Sequence, residues 1–182
     1  MNRPRNKRPQ KGFTLLETMI AMAVMVFGIL SLSTIFTEGV QNSYNSEIQF
    51  IAQQKAQEAL ESIFTARDTH ILTWPQISNV SQGGVFLDGP QPMLAPGPDG
   101  IVGTADDDTK TPDTIVTGPG PDKIFGTADD VQVNLNPWMT RTIVFTPVKG
   151  TPNLNEITVT ITYTYGGRTN TFVLNTFISN YA

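Results

Sequence analysis

The chain has no cysteine among its 182 residues, so it has no disulfide, thiolate nucleophile or cysteine-held metal. Histidine occurs once, at His70, and a lone histidine more often serves structure than catalysis. Neither a G-x-S-x-G elbow nor a phosphate-binding glycine loop is present. Basic charge is scarce beyond the first twelve residues. Arg3, Arg5, Lys7, Arg8 and Lys11 lie there with no acidic neighbour, leaving 7 basic against 16 acidic side chains, a net of −9, for everything that follows. A body so acidic repels phosphate, so nucleic acid is not expected as a partner. The length suits one globular domain with an appended element. Apolar residues make up 39% of the chain, and many are concentrated between Met19 and Phe36. The remainder is rich in Thr, Asn, Gly and Pro and can support only a modest core.

The N-terminus carries the most specific information. Residues 1–11 (MNRPRNKRPQK) are basic, hold two prolines and show no apolar periodicity, as expected of a targeting segment. A secretory signal places its apolar stretch before the cleavage site. Here the apolar stretch follows Gly12, so a cut at that point would keep the hydrophobic helix in the mature chain. Residues 18–37 are twenty consecutive uncharged, mostly apolar positions. As a helix they would extend about 30 Å, enough to cross the hydrocarbon core of a bilayer. The basic flank predicts that the N-terminus stays in the cytoplasm and that the rest faces outward. Glu17 interrupts the apolar pattern about one turn into the helix, where an unpaired ionised carboxylate costs on the order of several kcal/mol. It could snorkel to the membrane edge, or a cation could reach it during assembly.

Lys11-Gly12-Phe13-Thr14-Leu15-Leu16-Glu17, followed by the apolar run, resembles the prepilin cleavage and methylation motif of type IV pilins and type II secretion pseudopilins. The resemblance implies that a membrane prepilin peptidase cuts after Gly12 and N-methylates Phe13. It also implies that Glu17 pairs with the terminal amine of a neighbouring subunit as a filament grows. Other pilin subunits, the peptidase and an inner-membrane assembly platform are the partners it implies.

After Glu38 the pattern turns amphipathic. Val40, Tyr44, Ile48, Ile51, Ala52, Ala56, Ala59, Leu60 and Ile63 form one stripe, with Gln, Glu and Lys on the other face. No proline occurs between Pro9 and Pro75, so a single helix of about 80 Å is predicted from Phe13 to about Ala66. Residues 141–148, 156–165 and 169–178 read as strands, with Ile157, Val159, Ile161, Tyr163 and Tyr165 alternating with polar residues. Gly166-Gly167 marks a tight hairpin. The helix segment 51–63 and the terminal hairpin also resemble those of PilV-type minor pilins and I-type pseudopilins, although the C-terminal disulfide common among pilins is lacking. The expected fold is α+β and pilin-like, a long N-terminal helix packed on an antiparallel β-sheet head. The expected divisions are a cleaved leader (1–12), a transmembrane or filament-core helix (13–37), an amphipathic helix half (38–66) and a β-rich head (67–182).

Within the head, PGPDGIVGTADD at 96–107 returns as PGPDKIFGTADD at 119–130, with ten of twelve positions identical. Two copies are too few for a stacked repeat array, so the segment 96–130 reads as an exposed insertion of loops between strands. Asp99, Asp106, Asp107, Asp108, Asp122, Asp129 and Asp130 place seven carboxylates in about thirty residues. Calcium takes six to eight oxygen ligands from such loops, but the D-x-D-x-D-G spacing of an EF-hand is missing. Calcium binding and hydrated Asx turns both remain open. These loop-borne aspartates lack the apolar surroundings that would separate their pKa values into acid and base, so no enzyme is expected.

Three functional readings follow. The first is a structural subunit, a minor pilin, held in the bacterial inner membrane with its head in the periplasm and then built into a surface pilus. The second is a minor pseudopilin of a type II secretion system. The third, from another class, is a single-pass anchored binding protein with an acidic calcium-binding head.

Overall fold

The computed structural model describes residues 12–181. Apart from Gly12, the basic leader therefore lies outside the described residues. The chain divides into two compact units, residues 1–46 and 47–182.

Helix α1 (Leu15–Asp68) runs unbroken through Gly28 and Gly39. Thr14 caps it: its hydroxyl accepts the Glu17 N–H at 3.3 Å, satisfying a donor that has no partner within the helix. In the first unit every described residue is exposed. Its hydroxyl side chains fold back onto the helix. Ser31 donates to the Phe27 carbonyl at 2.8 Å and Thr37 to that of Ser33 at 2.9 Å. Their polarity is thus met internally, which suits surroundings without water.

In the second unit α1 buries Ile48, Ile51, Ala52, Lys55, Ala56, Ala59, Ile63 and Ala66, a stripe at three- and four-residue spacing. The stripe starts at Ile48. Val40 and Tyr44, read from the sequence as part of it, are exposed. The helix ends in a left-handed turn at His70 (φ 58), where the Leu72 N–H reaches back to the Ala66 carbonyl at 3.1 Å. The single histidine is thus a helix terminator.

The head then lays down β1 (Gln91–Pro92), β2 (Leu94–Ala95), β3 (Asp108–Pro112), β4 (Thr114–Gly118), β5 (Val131–Asn134), β6 (Met139–Pro147), β7 (Leu154–Tyr165) and β8 (Arg168–Ser179). The main sheet is antiparallel in the order β1-β6-β7-β8. Its three long strands fall where alternation predicts them, and Gly166 and Gly167 turn the last hairpin at positive φ. Rows such as Ile143↔Val159 and Phe145↔Ile157 face the core. The sheet edge at β6 is sealed by side-chain amides. Asn79 donates to the Ile143 carbonyl and accepts the Phe145 N–H, both at 2.8 Å, and Gln82 donates to the Phe145 carbonyl at 3.0 Å. Two further ribbons, β2–β3 and β4–β5, each close around one copy of the repeat.

The expectation of an exposed insertion needs correction for the first copy. Ile101, Val102, Thr104 and Asp107 are buried in the head core, whereas the second copy is mostly exposed.

Candidate functional site

The segment ahead of α1 is laid open. Gly12 and Phe13 precede α1 as irregular chain, and both are exposed. The Gly12–Phe13 bond thus lies just outside the first helical turn. Glu17 occupies the third position of α1 and is exposed, with no ion pair among the described residues. Beyond it Met19, Ile20, Met22, Val24, Met25 and Phe27 stand out from the helix, so its surface is apolar all round. This helix is long and apolar enough to cross a membrane.

The two repeat copies show why their residues recur. Asp99 accepts the Ile101 N–H at 2.8 Å, and Asp122 accepts that of Ile124 at 2.8 Å. Asp107 accepts the Gly103 N–H at 2.8 Å, and Asp130 accepts that of Gly126 at 2.7 Å. Thr104 donates to Asp106 and Thr127 to Asp129, each at 2.7 Å. Gly97 and Gly120 permit the closure: an added Cβ would stand 2.4 Å from the Asp106 carbonyl oxygen in one copy and 2.1 Å from that of Asp129 in the other. Asp108 lies just past the first copy and accepts the Lys110 N–H at 2.9 Å and the Thr111 hydroxyl at 2.6 Å.

These carboxylates close their own loops. Among the described residues no three acidic or histidine side chains converge on a point that could hold a metal ion. Their electrostatics differ with burial. Burial raises the pKa of Asp107, against the opposing pull of the Gly103 N–H and of Arg141. Asp129 is held below the usual carboxylate range by the Thr127 hydroxyl and the Asp122 N–H, and Asp108 by the Thr111 hydroxyl and the Lys110 N–H.

A buried charged group beneath the first copy escaped the sequence reading. Lys55 was placed on the polar face of α1, yet it is buried. It donates to Asp113 at 2.7 Å and to Glu58 at 2.8 Å. Asp113 joins β3 to β4; its N–H reaches the Met93 carbonyl and its carbonyl takes the Leu135 N–H, both at 3.0 Å. Arg141 lies on the core face of β6, almost fully buried. None of its three guanidinium nitrogens has a hydrogen-bond partner among the described residues. Burial lowers its pKa, while the charges of Asp107, Asp113 and Glu58 hold it up. The one sequence signal for Arg141 was a charge in the inward register of a strand, shared with Ile143 and Phe145.

Residues 7–33 match the family model described as the prokaryotic N-terminal methylation motif. No curated protein and no solved structure matches the chain. The matched span takes in Gly12, Phe13, Glu17 and the first half of the apolar run. With the α+β fold built on one long N-terminal helix, the chain thereby carries the defining N-terminal motif of the type IV pilin and pseudopilin superfamily.

Proposed function

We propose that the chain is a minor pilin: a structural subunit cut after Gly12, N-methylated at Phe13 and assembled through α1 into a type IV pilus. One observation carries this reading. The first unit is a helix that is apolar on every side and exposed at every described residue, with Glu17 as the one charge between Gly12 and Thr37. Such a surface needs either lipid or other apolar helices. A pool in the inner membrane uses the first and a filament core the second. Glu17 gives the second state its register, because a neighbour's methylated amine at Phe13 is a cation of the right size at the right depth. The acidic head, carried at the far side of the membrane from the leader, would face the periplasm and then the pilus surface. The proteins that this N-terminal motif resembles are structural, so no catalytic step is part of this reading.

The experiment is mass spectrometry of surface filaments sheared from the source cells. The expected peptide begins at N-methylated Phe13. Processed protein confined to the cell envelope would replace the pilus by the periplasmic pseudopilus of a secretion system. Glu17→Ala should leave membrane insertion intact and abolish recovery in filaments; a variant that still enters filaments would show that assembly does not need the Glu17 carboxylate.

A further inference from the structure

Lys55 and Asp113 bring an amine and a carboxyl together inside the head. They are 7% and 8% exposed, and Nζ stands 2.7 Å from Oδ1 across 58 residues of chain. A third group meets them there. Glu58, one turn further along α1 and half-exposed, has Oε2 2.8 Å from the same Nζ. The Arg67–Asp68 pair is of another kind, since it joins neighbours in sequence and is open to solvent at Asp68.

Both reacting groups are held in place. Lys55 projects from the buried stripe between Ala52 and Ala59. Asp113 is pinned on both sides by its main-chain bonds to Met93 and Leu135, each 3.0 Å long. An amine at hydrogen-bond distance from a carboxyl oxygen stands about 3–3.5 Å from the carboxyl carbon, the separation from which a bond can form. The contact is also incomplete as an ion pair. Asp113 Oδ2 is buried and has no hydrogen-bond partner among the described residues. Attraction within a buried pair offsets the loss of water only when the remaining lone pairs are satisfied as well.

We propose that Lys55 and Asp113 condense into an amide, a covalent cross-link between α1 and the β3–β4 junction, with Glu58 as the proton carrier. The ion pair already holds every atom the step requires. A proton passes from the Lys55 ammonium to Asp113, leaving a neutral amine and a neutral carboxyl with no change in net charge. Nζ then attacks Cγ. Glu58 takes a second proton from the nitrogen and gives it to the departing hydroxide, which leaves as water. One C–N bond forms, one C–O bond breaks, no oxidant or reductant is needed, and Glu58 ends as it began. The negative charge of the intermediate falls on an oxygen of Asp113, where the field of Arg141 reaches it. Burial favours the product, because two charges in the core become one neutral amide. The step lies wholly within the head and does not depend on which filament, if any, the chain enters.

The test is mass spectrometry of the full chain, purified in detergent from its source cells and denatured so that only covalent links survive. The chain should be lighter by one water molecule than its sequence requires, after allowance for leader removal and methylation. Trypsin should fail to cut after Lys55, and the peptide 111–123 should be recovered joined to the one that holds Lys55. Lys55→Arg keeps a cation beside Asp113 without the primary amine and should show the full mass. Glu58→Gln keeps a polar group at the site but cannot carry the proton, and should lower the linked fraction shortly after synthesis by about tenfold or more. Unchanged tryptophan fluorescence in both variants shows that the head remains folded, and the result for the unaltered chain stands without either. Full mass in the unaltered chain, with peptide 111–123 recovered free, overturns the proposal. A mass deficit that survives Lys55→Arg overturns it too, because the water was then lost elsewhere. A linked fraction indifferent to Glu58→Gln overturns the role given to Glu58. Absence of methylated Phe13 from filaments would leave the cross-link untouched, so the two readings fail separately.

Discussion

The two halves of α1 contrast hydrophobicity with burial. The first half holds the larger and more apolar side chains, Met, Leu, Ile and Phe, and all of them are exposed. The second half holds fewer and smaller ones, yet Ala52, Ala56, Ala59, Ile63 and Ala66 are wholly buried, and a lysine is buried with them. An apolar helix exposed at every described residue is suited to apolar surroundings such as a bilayer. The alanine stripe, by contrast, is covered within the head's own core.

The largest effect expected from breaking this contrast comes from the polar member of the buried stripe. Lys55→Ala would strand Asp113 in the core and should cost about 3–5 kcal/mol, the usual loss when one partner of a buried ion pair is removed. Urea unfolding of the detergent-solubilised chain, followed by tryptophan fluorescence, measures it. Lys110→Ala, an exposed lysine in the same head, should change stability by less than about 0.5 kcal/mol.

Next in size is overpacking. Ala56→Leu puts three extra carbons into a site without space and should cost about 1–3 kcal/mol. Ala23→Leu, in the bare half, should leave the unfolding of the head where it was. Equal effects at the two positions would erase the distinction between the halves.

The same contrast recurs in miniature between the two loops. Val102→Phe makes the first tip like the second and should cost about 1–3 kcal/mol, because its seat is full. Phe125→Val makes the second like the first and should leave stability nearly unchanged, because that tip is exposed. Thermal unfolding of both variants is the measurement.

The smallest effect lies in their titrations, followed by carboxyl chemical shifts in NMR. Asp107 is raised by burial, so its contribution to stability is fully present below the ordinary carboxylate value and is lost as pH rises through its folded value. Asp129 is lowered by its hydrogen bonds, so its contribution is present above the ordinary value and is lost as pH falls through its folded value. Opposite displacements of the two midpoints are expected. Midpoints displaced in the same direction would mean that the first loop is not seated in the core.

Much of the architecture was readable along the chain. Gly12, Phe13 and Glu17 stood out because order and charge alone define that motif, and residues 7–33 match it. The strands at β6, β7 and β8 were readable because Thr and Ile alternate with the period of the pleat. The start of the buried stripe was placed too early, at Val40, because periodicity reports which residues share a face and not whether anything covers it. Lys55 was misplaced for a related reason: a lysine is assigned to solvent unless its partner is known, and Asp113 lies 58 residues away. The aspartates of the repeat were seen as a group, but their service to their own backbone amides depends on left-handed turns at Gly103 and Gly126 that set each carboxylate facing a particular N–H.

The sequence by itself determined the N-terminal methylation motif, the apolar helix, the strand pattern and the internal geometry of the repeated loop, since each depends on residues close together along the chain. Only the tertiary structure decided that one loop plugs the core while its twin stands free, and that Lys55 and Arg141 lie inside. Burial is set by what the rest of the chain brings alongside, and two segments with the same local chemistry can be given different neighbours.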